Sequence, residues 1–403
     1  MGCYLFLFTE IIISKLWKNK AIPRQKKRQL AAVIVTLNDF KQTNKMNNRI
    51  IGFDLARAYA IFGMFIVNFV FCFGDFQDKR PLGNFLNLFV GNSTSIFIIL
   101  AGMGISLMTN RLDYSIEEKK NLKSIILKRS WFLFALGLLL YNWWPGDILH
   151  FYGGYMHIAV FLLFVPKRYY LWTALIAIII FHLLLFVIPI NTSWDFKTFK
   201  YADFWTPIGF LRNTLYNGWN SIFPWLCYFM LGMWLGRKNW KSKATIKNSF
   251  IIGLILFLVF EGLRYIVKNN EPFWKYWDYV MSDYFPAYIP YIMITTGFAL
   301  MAISICMFIG NKFSTNKFIG LLVKTGQMTL SHYVIHLTFG MIILSKLTNK
   351  KYTGLMTNDT PTEPVYIFIY AVAFFIMSIL FSHFWSKKFR NGPIETLMRK
   401  ISG

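Results

Sequence analysis

Three groups of side chains in this sequence could do chemistry, and each stands in apolar surroundings. In YNWWPGDILHFYGGYMH, residues 141–157, Asp147 precedes His150 by one helical turn, directly after the Pro145 and Gly146 break. An acid at that spacing can fix the imidazole tautomer and raise its basicity, which makes the two a candidate general-base dyad. Histidine is the side chain whose proton affinity suits acid and base work near neutral pH. The competing reading makes Asp147 a helix cap and His150 an interfacial, hydrogen-bonded side chain. In RIIGFDLARAYAIFGMFIVN, residues 49–68, Asp54, Arg57, Ile61, Met64 and Asn68 follow at steps of three or four and share one helical face. Ionisable groups inside a bilayer are costly, so this stripe must look into protein, either as a self-neutralising pair or as the lining of a site. In GQMTLSHYVIH, residues 326–336, Thr329, His332 and His336 share a face.

Metal binding is the third use of such histidines. Asp147, His150, His157, His332 and His336 suffice in number for zinc. The chain order, however, puts His150 toward the outer surface and His332 toward the inner one, so no shared metal is expected. His182 and His383 read as structural. The four cysteines, Cys3, Cys72, Cys227 and Cys306, are widely spaced and form no CxxC, which gives neither a disulfide framework nor a metal site.

Positioning these groups falls to a chain built for lipid. Of its 403 residues, 56% are hydrophobic and 19% aromatic, above the soluble range of roughly 45 to 50% apolar. The expected fold is all-α, a polytopic transmembrane bundle of about ten spanning helices. They run approximately 50–73, 92–109, 124–143, 147–165, 170–190, 219–236, 248–267, 287–309, 328–347 and 364–385. The net charge of +25 does not indicate nucleic acid, because the cations sit in short loops between apolar runs. Loops 111–129, 166–170, 237–247 and 311–327 and the C-terminal tail carry about twice the Lys and Arg of the intervening loops. By the positive-inside rule both termini are expected to be cytoplasmic, with the cell (inner) membrane as the location; Lys119 and Arg237 face in, Tyr141 and Lys197 out. Residues 1–45 form a basic leader unlike the rest, with Met46 the expected functional start; residues 46–386 form the membrane domain and 387–403 a basic cytoplasmic tail, where Glu395 can offset Arg390 or Arg399.

Several stretches depart from plain lipid-facing helix. GNSTSIFIILAGMGISLM, residues 91–108, carries Gly91, Gly102 and Gly104 and a Ser/Thr cluster at 93–95. Its small residues favour close helix packing, and its start could also present N–H groups to an anion. In NGWNSIFPWLCYFMLGMWLGR, residues 217–237, Pro224 kinks the segment and Gly232 and Gly236 form a GxxxG packing pair. Trp219, Trp225 and Trp234 read as interfacial anchors in preference to pocket lining.

These stretches, with FRNGPIETLMR at 389–399, resemble in order the YeiB-like family of bacterial membrane proteins. That family is similar to the catalytic domain of heparan-alpha-glucosaminide N-acetyltransferase, a multi-pass enzyme that moves an acetyl group from acetyl-CoA to a sugar amine across a membrane. The resemblance covers about residues 48–402. The family's opening Arg and Asp match Arg49 and Asp54, its Asp-Ile-Leu-His matches Asp147 to His150, and its Pro-Trp and terminal Gly-Arg match Pro224, Trp225, Gly236 and Arg237. One departure is clear: the animal enzyme's proposed active-site histidine precedes its second helix, whereas Gly74 to Gly91 holds no histidine. The resemblance implies an acyltransferase taking its acyl group from cytoplasmic acetyl-CoA or another acyl-CoA and delivering it to an envelope glycan or lipid; from the placing of the histidines no metal is expected. His150 and Asp147 are then the catalytic candidates, and Asp54, Arg57, Asn68, His332, His336 and Arg237 the substrate-binding ones. Arg57, Arg129 and Arg237 suit CoA phosphates, or serve as positive-inside anchors. The alternative is a transporter or exporter of a small anionic or lipidic molecule, with the Asp54 and Arg57 stripe lining its path.

Overall fold

A computed structural model describes residues 50–111, 113–196, 198–270, 276–352, 354 and 360–403. The leader, Met46, Arg49 and Lys197 lie outside the described residues. From Ile51 onward the chain forms a unit of its own. Its first helix, α1 (Ile51–Phe73), is followed by the short α2 (Pro81–Asn87), α3 (Asn92–Met108), α4 (Ile116–Tyr141), α5 (Leu149–Leu162) and α6 (Arg168–Val187). A two-residue hairpin, β1 (Trp194–Asp195) and β2 (Lys200–Tyr201), leads through α7 (Pro207–Arg212) and a π-helical turn, Asn213–Asn217, to α8 (Ile222–Leu235). The second half holds α9 (Lys243–Asn270), α10 (Trp277–Val280), α11 (Ile289–Lys312), α12 (Lys317–Gly326), and α13 (Thr329–Ile335). It continues through the π turn His336–Gly340 into α14 (Met341–Thr348), α15 (Pro364–Trp385) and α16 (Pro393–Ser402). Each of the ten expected spans is thus a helix. The fold is an all-α bundle, and the chain is a multi-pass membrane protein.

Of the ten expected spans, eight are long and apolar enough to cross a membrane, α2 with α3 and α13 through α14 each counting as one; α5 and α8 are the exceptions, at 14 residues each. At 1.5 Å per residue they reach about 21 Å, short of a hydrocarbon core of about 30 Å. Both nevertheless run between the same two ends of the bundle. Beyond their C-terminal ends, Arg237 donates to Leu163 O and to Thr109 O, while at their start Asn220 bonds Tyr284 and the α5 start lies under Tyr141. Their N-terminal ends are therefore recessed, and Phe204, from the stretch between α6 and α8, packs over the α5 start. The backbone break in α8 falls at Phe223 (φ −100°, ψ 121°), as proline forces on the residue before it.

The hub is α1, with 72% of its spanning window buried against 17% for α6, 11% for α9 and 22% for α15. Helices α3, α11, α12, α13 and α15 all pack on it. Glycines permit the closest crossings, as the small-residue stretches suggested. A Cβ at Gly102 would collide with Phe229 O, and one at Gly232 with Ile99 O, so α3 and α8 meet backbone to backbone. Trp225 corrects an expectation. It is 2% exposed among Tyr228, Tyr284 and Tyr291, a core residue and not an interfacial anchor.

Candidate functional site

The Asp147 and His150 dyad is built where α4 ends. After Tyr141 the chain turns through Trp143 and Trp144, whose N–H groups donate to Leu140 O, and Asp147 N donates to Trp144 O. The Asp147 carboxylate, wholly buried, then accepts from the next helix start: Oδ2 takes Leu149 N at 2.8 Å, His150 N at 3.1 Å and His150 Nδ1 at 3.3 Å. Capping and histidine orientation are one arrangement here, with the cap contacts the shorter. With Asp147 ionised, Nδ1 carries the proton and donates, which leaves the lone pair on Nε2. Among the described residues that buried Nε2 atom has no hydrogen-bond partner. Gly137 of α4 makes the approach possible, because a Cβ there would collide with both His150 N and Asp147 Oδ2.

His150, which one reading made an interfacial side chain, is enclosed by protein. Its side chain has no exposure. Tyr141 and Phe204 stack at 3.5 Å between centroids, and both set ring edges near the imidazole, at 5.9 and 6.0 Å. Phe204 belongs to the segment between α6 and α8. That segment is pinned by Arg212, which forks onto Asp203 at 2.6 and 2.8 Å and donates to Tyr201 Oη at 2.8 Å.

On the far side of Asp147, the Tyr333 hydroxyl donates to Oδ1 at 3.2 Å and accepts from Ile148 N at 3.3 Å. Tyr333 of α13 thus reaches the turn before α5, although His150 and His332 were expected at different depths. Direction separates their histidines instead, since His332 Nε2 faces Ser382 Oγ at 2.7 Å and His336 Nε2 faces Asn68 Nδ2 at 2.8 Å. Among the described residues no three His, Cys, Asp or Glu side chains cluster so as to hold a metal.

The family described as heparan-alpha-glucosaminide N-acetyltransferase, catalytic, matches residues 49–267, more than half of the chain. The chain belongs to that family. A second family, described as a protein of unknown function (DUF418), matches residues 232–403, in keeping with the YeiB-like resemblance. No curated protein gives a match to the sequence. In this member of the N-acetyltransferase family the Asp147 to Tyr333 contact joins the span of one match to the span of the other.

The remaining candidates fall into three separate places in this acetyltransferase-family bundle. Asp54 and Arg57 pair at 2.8 Å, Asp54 buried and the Arg57 side chain 27% exposed, with Gln327 Nε2 donating to Asp54 Oδ2 at 3.4 Å. One turn of α13 beyond Tyr333, His336 closes on Asn68, 14 residues farther along α1 than Asp54. Arg237 is the centre of a third place. Its guanidinium donates to Thr109 O, Asn110 Oδ1, Thr109 Oγ1, Leu163 O and Tyr170 Oη, tying three loops together. Beside it opens a cleft of about 300 Å³ lined also by Arg111, Lys119, Lys167, Tyr114 and Phe164. Among the described residues the ion pair recorded there is Arg111 with Glu118, at 2.5 Å. Burial chiefly, and the neighbouring Lys167 charge second, depress the Lys238 pKa. Arg129 lies elsewhere, donating to Ser402 Oγ of α16 at 3.2 Å.

Glu395, read from sequence as a partner for Arg390 or Arg399, is buried. It reaches from α16 to the start of α13, accepting from Leu330 N at 2.8 Å, Ser331 N at 3.1 Å and the Ser331 hydroxyl. Burial raises its pKa against the opposing pull of those hydrogen bonds. Tyr333 and Gly137 were not singled out from sequence, and Arg111, Lys119 and Lys167 entered there only as charges of the inner loops. Tyr333 adjoins His332, but helical spacing gives no signal of what a lone tyrosine touches on another helix.

Proposed function

We propose that this protein transfers an acyl group from a cytoplasmic CoA thioester to a hydroxyl or amine of an envelope glycan or lipid, with His150 as general base. The observation that carries the reading is the buried Asp147 and His150 pair, with Nδ1 held by the carboxylate and Nε2 left bare. The acceptor's proton passes to Nε2 as its oxygen or nitrogen attacks the thioester carbonyl. The C–S bond then breaks, and the CoA thiolate takes the proton back from the imidazolium. The Arg237 cleft suits the phosphates of the donor, with Arg111, Lys119 and Lys167 as further cations. From His150 to Leu163 at the cleft, α5 spans about 20 Å at 1.5 Å per residue, a separation suited to the extended pantetheine arm. The aromatic cover of Tyr141 and Phe204 must part for the acceptor to enter. In this reading both termini and the cleft are cytoplasmic, in the inner membrane.

The test is transfer of labelled acetyl groups from acetyl-CoA into envelope material in membranes carrying each variant. His150→Ala abolishes transfer at unchanged amounts of folded protein, and Asp147→Asn weakens it less; a general base is worth about 10² to 10⁴-fold. Undiminished transfer by His150→Ala removes His150 from the mechanism. The transporter reading draws support from the broken α8 and the π turn after α13, and it predicts solute flux that survives His150→Ala.

A further inference from the structure

The loop that carries Asp147 is tied to α13 and its π turn at two points. Trp143 Nε1 donates to Leu337 O at 2.6 Å, a carbonyl of the π turn, and Tyr333 bonds both Ile148 N and Asp147 Oδ1. A π turn breaks the regular ladder and is often found where a helix serves a site. Tyr333 is 1% exposed, with its ring edge-on to His336 at 5.3 Å.

The two oxygens of Asp147 have divided tasks. Oδ2 serves the α5 start and His150 Nδ1, while Oδ1 has Tyr333 as its recorded partner. A carboxylate can rotate about its Cβ–Cγ bond, and a fixed donor on one oxygen holds the plane in which the other must work. Asp147 has no exposure, so bulk water does not reach it to take over that task.

We propose that Tyr333 is a positioning residue of the acyl-transfer site: its hydroxyl fixes the Asp147 carboxylate so that His150 stays in the Nδ1–H tautomer with Nε2 free to take a proton. This rests on the reading of His150 as the base. It also gives the second half of the chain a task at a site whose acid and base lie in the first half.

The experiment uses the full-length protein in native membranes with labelled acetyl-CoA as the probe, and ¹⁵N-histidine spectra of the purified protein, with the His150 signals assigned from His150→Ala. Tyr333→Phe keeps the ring and removes the hydroxyl. It is expected to lower kcat on the order of tenfold with KM for acetyl-CoA unchanged, and to turn the His150 spectrum from one tautomer to a mixture. Adding Tyr333→Phe to Asp147→Asn should cost nothing further, because both act through one contact. A pure Nδ1–H spectrum in Tyr333→Phe, an unchanged kcat, or costs that multiply in the double variant each overturn the proposal. If Tyr333→Phe does not accumulate, 3-fluorotyrosine at position 333 keeps the shape and strengthens the donor, and an unchanged kcat there overturns it too. Loss of the base reading is separately visible: His150→Ala then transfers at the wild-type rate, while the tautomer spectra still decide what Tyr333 does.

Discussion

Tyr333 Oη lies 3.2 Å from Asp147 Oδ1 across 186 residues of sequence, and that contact fastens α13 to the turn before α5. It sits opposite Gly137, so the carboxylate is confined from both sides.

Gly137→Ala should therefore impair the site while leaving the bundle formed. The added methyl meets His150 N and Asp147 Oδ2, and overpacking costs typically about 1 to 3 kcal/mol. Acetyl transfer should drop by at least tenfold with a small loss in thermal stability of the detergent-solubilised protein. Full activity would mean that the α4 to α5 crossing gives way more easily than its geometry indicates.

Exchanging Asp54 and Arg57 should reduce the yield of folded protein in the membrane. Asp54 is buried under α12, where Gly326 lies against its carbonyl, while the Arg57 side chain reaches partial exposure past Gly104. An arginine at position 54 has no such outlet, and disrupting a buried pair typically costs about 3 to 5 kcal/mol. Fluorescence-detected size-exclusion profiles measure the effect. A monodisperse peak of wild-type height for the exchanged protein contradicts it.

Glu395 predicts how docking of α16 depends on pH. Its folded pKa is raised, so the folded state holds its proton more tightly than the unfolded chain does. The stabilising contribution is then present below the ordinary glutamate pKa and is lost as pH rises through the raised one. Hydrogen exchange across residues 393–402 should accordingly be better protected near pH 5 than near pH 8, after correction for intrinsic rates. Glu395→Gln should flatten that difference, and a steeper one would refute the assignment.

Orientation can be read with an impermeant thiol reagent, provided exposed positions are chosen. Tyr141 is buried and Arg237 is engaged in five hydrogen bonds, so neither reports cleanly. Trp205, 61% exposed, and the exposed Lys119 are better sites for cysteine. With the native cysteines replaced, position 205 should label in intact cells and position 119 only after permeabilisation. The opposite pattern inverts the proposed topology.

Apolar run length and the positions of charge determined much of this protein by themselves. A helix must satisfy its own backbone in lipid, so ten apolar runs meant ten helices, and the buried stripe of α1 followed from its three- and four-residue spacing. The Asp147 and His150 contact was legible for the same reason, since both lie within one helical turn. Which helices span fully, and what each side chain meets beyond its own helix, was settled only by tertiary packing. Periodicity specifies a face but not the neighbour that covers it. For that reason α5 and α8 proved short and recessed, His150 proved enclosed by Phe204, and Trp225 entered the core. Tyr333 at Asp147, Glu395 at the start of α13 and the cations around Arg237 come from segments far apart in the chain, and only folding brings them together.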